Sequence, residues 1–143
     1  EKMTLFKTHG AFAAVALAIV MVCGITANAG VTKKAGSFYM VKVETSGSDG
    51  NMTAKITVTG TKGYHNNMEY PWKFTLAPAE GVTAAKSKFK KGDATKFTPE
   101  KVIFTIPYKV TGDVSKVGGQ LKLSLCDDKQ CQMEKVALSW PAK

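Results

Sequence analysis

The chain contains no arginine; all twenty of its cationic side chains are lysine, against eleven carboxylates, for a formal net charge of +9. Without guanidinium groups the bidentate readers of phosphate and guanine are missing. A nucleic-acid partner is therefore not expected. The lysines are spread along the chain apart from Lys33-Lys34 and the stretch from Lys86 to Lys91. A solvated basic surface is the ordinary reading of such a distribution, with an anionic partner as the alternative. Histidine is scarce, with only His9 and His65, and cysteine is confined to Cys23, Cys126 and Cys131. No Ser/His/Asp set, paired-carboxylate site, phosphate-binding glycine loop or zinc-ligand cluster is present. These absences argue against a hydrolase or a phosphotransferase.

Long apolar runs are also few. Ala11 to Val22 is solidly apolar but short for a membrane span. It follows a basic start, Met3 to Lys7, and precedes Thr26-Ala27-Asn28-Ala29, a small-x-small ending. This is the pattern of a secretory signal peptide over residues 1–29, with cleavage after Ala29. Cys23 follows Val22, where a lipoprotein signal needs a small residue, so Cys23 is read as removed with the leader. Glu1-Lys2 stand before the Met3 at which such a leader would begin. The expected location is periplasmic or secreted, in a bacterium. Residues 30–143 then form one small domain, expected to be monomeric, in a compartment where disulfides persist. Two cysteines remain, enough for one intramolecular bond.

What remains reads as all-β. Gly30 to Ser37 is expected to be a flexible leader. Strands are predicted over Phe38 to Val43, Met52 to Thr59, Trp72 to Leu76, Val82 to Phe89 and Lys101 to Val110, with Pro107 marking an edge or a bulge. Lys90 to Pro99 and Thr111 to Gly119 read as polar loops. With the final hairpin the count is about seven short strands, and no amphipathic helix. That spacing predicts an immunoglobulin-like two-sheet β-sandwich.

The last ribbon carries the chemistry. Leu121, Leu123 and Leu125 alternate with polar residues, as do Val136, Leu138 and Trp140 with theirs. The four residues Asp127-Asp128-Lys129-Gln130 form the loop between them. Such a loop sets Cys126 opposite Cys131, at an α-carbon separation of about 4.5–5.5 Å, within the usual disulfide range. The parity sends both sulfurs to the outer face, Cys126 with Ser124, and Cys131 with Met133 and Lys135. The same register opposes Lys122 to Lys135, a like-charge pair that a bulge would relieve. Closing so short a loop stabilises by about 2 kcal/mol in the chain-entropy account. The residues alone leave both a structural staple and an exchangeable redox pair open.

The most unusual loop is Gly60 to Pro71. It holds His65 with Tyr64, Met68 and Tyr70, and Trp72 follows. Tyr64, His65, Tyr70 and Trp72 are candidates for a lid over the cysteines or a partner contact; the aromatics would otherwise pack the sandwich edge. The ordinary reading of His65 is a loop residue bonded to its neighbours, so no cofactor and no metal is expected. The sharper reading is a Cu(I) site from His65 and Met68, completed by Met133 or the thiols, in a copper-handling protein.

Taken together, Gly63-Tyr64-His65-Asn66 with Pro71, then Pro78-Ala79-Glu80-Gly81-Val82, then Val102-Ile103-Phe104-Thr105-Ile106-Pro107, and above all Leu125-Cys126-Asp127-Asp128-Lys129-Gln130-Cys131, resemble the periplasmic N-terminal domain of the thiol–disulfide interchange protein DsbD family. The resemblance runs from about Gly63 to the end. It implies an immunoglobulin-like domain whose cysteine pair, here Cys126 and Cys131, is redox-active. Such a pair takes electrons from a membrane-embedded reductant and passes them to periplasmic oxidoreductases. The chain would then be a component of a thiol–disulfide oxidoreductase system. It departs from the family pattern after Cys131, where Gln132-Met133-Glu134 stand in place of Leu-Pro-Pro. A non-catalytic binding module with a structural disulfide is the other expectation.

Overall fold

The computed structural model describes residues 30–143. The leader expected over 1–29 lies outside the described residues. The strands are β1 (Gly30–Ala35), β2 (Tyr39–Ser48), β3 (Asn51–Gly60), β4 (His65–Asn66), β5 (Lys73–Leu76), β6 (Val82–Thr83), β7 (Lys88–Lys90), β8 (Lys96–Phe97), β9 (Val102–Val110), β10 (Lys116–Cys126) and β11 (Cys131–Pro141), with one 3-10 turn at Lys91–Asp93. The described residues are all-β, in two antiparallel sheets that make an immunoglobulin-like sandwich. One sheet runs β1-β2-β3-β9-β6, with β8 also on β9; the other runs β11-β10-β5-β7, with β4 also on β10.

Alternation builds both inner faces. Val41 and Val43 of β2, Ala54, Ile56 and Val58 of β3, and Val102, Phe104 and Ile106 of β9 are buried from one side. Phe74, Phe89, Leu121, Leu123, Leu125, Val136 and Trp140 meet them from the other. The β2–β3 hairpin closes at Asp49-Gly50, both with positive φ (52° and 78°). That is the two-residue turn whose twist suits a hairpin. Pro107 lies on the part of β9 between its pairing with β8, which ends at Ile103, and its pairing with β6, which starts at Lys109. Its missing N–H therefore costs no ladder bond on that open edge.

Three expectations need correction. Gly30 to Ser37 is not a loose leader. Residues 30–35 form β1 and pair with β2 from Gly30↔Thr45 to Ala35↔Met40. Four of its six residues are exposed, so backbone bonding rather than apolar burial holds it. Val82 to Phe89 is not one strand. Val82–Thr83 joins β9 in the first sheet and Lys88–Lys90 joins β5 in the second. The chain changes sheets between these two segments, crossing at Ala84 to Ser87. The polar stretches also contribute: β8 lies within Lys90 to Pro99, and β10 begins at Lys116, inside the expected loop.

The sheets are tied at their edge. Tyr39 of β2 donates its hydroxyl to Glu134 Oε1 of β11 at 2.9 Å. Burial first, and then that bond and the charge of Glu134, push the Tyr39 phenol up to about 12 from 10.0. The raised value means the folded protein holds this proton more tightly than the unfolded chain. Its contribution is complete below pH 10 and is lost as pH rises through about 12. Urea unfolding between pH 9 and pH 12 should show stability falling more steeply in the parent protein than in Tyr39→Phe.

Candidate functional site

The turn that ends the β10–β11 ribbon is built by Asp127. Its N–H donates to the Gln130 carbonyl at 2.9 Å. Its Oδ1 accepts the N–H groups of Lys129 (2.9 Å) and Gln130 (2.8 Å). The Lys129 N–H and then the Gln130 N–H hold the Asp127 carboxyl below the usual carboxylate range. Because Asp127 and Gln130 form the hydrogen-bonded pair, Cys126 and Cys131 form the next, non-hydrogen-bonded pair, the kind in which chains approach most closely. Their disulfide is formed, with α-carbons 3.9 Å apart. That is closer than expected from an unlinked ladder.

The register is unbroken from Lys116↔Pro141 to Cys126↔Cys131 and includes Lys122↔Lys135. The bulge that would have separated these two lysines is not there. The parity is as expected: Leu121, Leu123, Leu125, Val136 and Leu138 face inward, while Cys126 is half-buried and Cys131 exposed. Met133, two residues from Cys131 on the same face, is 68% exposed, one of two large apolar side chains left outside among the described residues.

A third strand reaches the cysteines. β4 pairs with β10 at Leu125↔Asn66 and Cys126↔His65. His65, Cys126 and Cys131 therefore stand side by side across three strands on the outer face, with directly paired Cβ atoms about 4.5–5.5 Å apart. The approach is set by the preceding turn. Lys62 and Gly63 have positive φ (55° and 81°), and Gly60 lies so near the Tyr64 carbonyl that a Cβ there would collide with it at 1.8 Å. The loop is also anchored from inside. Buried Asn66 donates its side-chain amide to the Thr98 carbonyl at 3.1 Å and its N–H to that of Pro99 at 2.7 Å.

The four loop candidates separate into two groups. Tyr64 and His65 come to the cysteine turn. The Tyr64 ring lies 5.3 Å from that of Phe38, and its hydroxyl accepts from Gln130 Nε2 at 3.4 Å. Tyr70 and Trp72 do not share that position. Trp72 is a core residue, 1% exposed, with its indole N–H donated to the Asn67 carbonyl at 2.8 Å and its ring edge-on to Phe97. It is fixed inside and has no surface to offer a partner. Tyr70 is half-buried and lines a shallow concavity beside Lys73 and Lys90. Met68 is half-buried and its carbonyl accepts from Lys91 Nζ. Among the described residues no group of three or more His, Cys, Asp or Glu side chains is arranged to hold a metal ion.

The fold and this end of it define an antiparallel β-sandwich with a surface disulfide at the tip of its last ribbon. No family model matches the chain, and no curated protein does. Among solved structures, a crystal structure of the yeast GGA1 GAE domain is similar at 9% identity, covering 78% of this chain and 97% of that one, with a TM-score of 0.49.

Proposed function

We propose that the protein is an exported thiol–disulfide exchange module that works through a reversible Cys126–Cys131 disulfide, as a domain of the kind found at the N-terminus of DsbD. The observation that carries this reading is the placement of the bond. It lies on the outer face at a ribbon tip, with Cys131 exposed, rather than inside the sandwich. Exposed short-loop disulfides are the ones that exchange.

The unequal exposure gives the two sulfurs different roles. An incoming thiolate attacks Sγ of Cys131, the S–S bond breaks, and Cys126 leaves as the thiolate. The second thiol of the incoming dithiol then attacks the mixed disulfide, releasing Cys131. The partner has become a disulfide, and this chain has gained two electrons and, with them, two protons. His65 is next to Cys126 in the ladder, where an imidazole N–H can donate a hydrogen bond to the leaving thiolate. The carboxylate of Asp127 opposes thiolate formation at the same sulfur. In this reading the reductant is a membrane-embedded thiol protein and the acceptor a periplasmic oxidoreductase.

The reduction potential of the pair tests the reading. A value above about −300 mV is expected; a lower one marks a structural bond and ends the proposal. The Cys126→Ser variant keeps the exposed sulfur and removes the one that would resolve a mixed disulfide. It should accumulate such a disulfide with an oxidised dithiol protein, seen as added mass lost on reduction. Cys131→Ser should accumulate much less.

A further inference from the structure

The outer face of the second sheet carries a feature that neither the fold nor the disulfide requires. Lys135 of β11 pairs with Lys122 of β10, Lys122 with Lys73 of β5, and Lys73 with Lys90 of β7. Four ammonium-bearing side chains thus form one row across four adjacent strands. At about 4.8 Å per strand the row spans roughly 14 Å. All four point outward, since Leu121, Leu123, Phe74, Phe89 and Val136, beside them in sequence, are buried.

Like charges placed directly opposite one another destabilise a sheet, and this row has three such contacts. Among the described residues no ion pair neutralises them. The ion pairs among the described residues are Lys42–Glu44 and Lys86–Asp93, and neither reaches the row. One carboxylate, Glu69, lines the concavity beside Lys73 and Lys90. The outer face of the other sheet differs, because there Glu44 is paired with Lys55 and bonded to Lys42.

The row is continuous with the cysteines. On β11 the successive outward residues are Cys131, Met133 and Lys135, with exposed Met133 between sulfur and charge. On β10, Lys122 lies four residues from Cys126 on the same face, about 13 Å along the strand. A standard protein interface covers about 800 Å² on each partner, so one footprint takes in both.

We propose that this row is the docking surface for an acidic protein, one whose carboxylates lie about 13 Å from the thiol it presents to Cys131. The proposal rests on the thiol-exchange reading and names the partner's chemistry. A flat anionic membrane fits less well: the row borders a concavity lined by Tyr70, Pro71 and Gly92, and among the described residues Met133 is the one large exposed apolar side chain on this face.

The test uses two synthetic peptides, each an N-terminal cysteine, four glycines and a run of five aspartates or, in the control, five asparagines. At low salt the acidic peptide should form a mixed disulfide with the oxidised protein about tenfold faster than its neutral counterpart. The advantage should shrink in 0.5 M NaCl. It should vanish in the Lys73→Gln/Lys122→Gln/Lys135→Gln variant, which should melt no lower than the parent because it loses like-charge contacts. Dithiothreitol should open the bond equally in both proteins.

Equal rates for the two peptides, or an advantage that survives loss of the lysines, would overturn the docking surface. So would lysine-dependent sedimentation with phosphatidylglycerol vesicles when the acidic peptide has no advantage. If dithiothreitol cannot open the bond, the exchange reading fails by itself. Salt-sensitive binding of the acidic peptide with serine in place of cysteine, measured by fluorescence anisotropy, then still decides the row: lysine-dependent binding supports it and no binding removes it.

Discussion

Truncating Trp140 to alanine should cost about 3–5 kcal/mol of folding stability, the range for deleting a large aromatic from a core. Trp140 is 1% exposed and belongs to the last strand, where it closes the sandwich. Its ring centroid lies 6.1 Å from that of Phe74 and 6.5 Å from that of Tyr108. Its indole N–H donates to the Tyr108 hydroxyl at 3.2 Å, and that hydroxyl donates to the Ala142 carbonyl at 3.5 Å. Alanine would leave a cavity and remove the donor that the buried phenol oxygen accepts from. Trp140→Phe keeps most of the ring and should lose less than half as much. Urea titration of the three proteins measures both. A loss under about 1 kcal/mol in the alanine variant would mean that the core collapses around the gap.

Replacing both sulfurs, Cys126→Ser together with Cys131→Ser, should abolish the proposed thiol exchange completely while leaving the fold intact. The expected loss of stability is no more than about 2 kcal/mol, because the bond joins residues only five apart and removes little freedom from the unfolded chain. The ribbon has independent supports. Its ladder runs from Lys116↔Pro141 up to the cysteines, and Asp127 folds the turn through its own backbone bonds. Amide spectra and urea unfolding of the double variant, read beside a mixed-disulfide assay, separate the two effects. A collapse of the fold in the double variant would identify the bond as a staple.

The hairpin was legible in the sequence because everything that defines it is local. Strict alternation set the faces and a four-residue loop set the register, so the outward placement of Cys126 and Cys131 followed from counting. β1 was illegible for the opposite reason. Val31 to Ala35 buries little and shows no alternation that favours a strand, and its pairing with β2 is made by backbone groups common to every sequence. The crossover at Ala84 to Ser87 was missed because a loosely patterned apolar stretch gives no sign of which sheet it serves. For Trp72 the sequence left a lid or partner contact and packing of the sandwich both open; what decides for packing is Phe97, which covers it from far along the chain. His65 was placed in the loop from Gly60 to Pro71, but the tight turn at Gly60 and Gly63 that aims it was not read from the sequence. Its seat beside Cys126 needed the pairing of β4 with β10, a contact across about sixty residues. The lysine row depends on three such registers at once, so no window of sequence contains it.

The strand that flanks β10 is interrupted. Beyond its pairing with Lys73–Leu76 the neighbouring chain leaves the ladder at Met68–Trp72, and then offers β10 only His65–Asn66 and Asn67, whose N–H donates to the Ser124 carbonyl at 2.9 Å. The last turn of the ribbon is thus secured on one side by a short clasp of three residues, 65–67. Such a tip is able to fray while the apolar core beneath it stays shut. Amide protons around the cysteines should then trade with solvent deuterium far sooner than those of Leu121 and Leu123. The bond could open without any global unfolding.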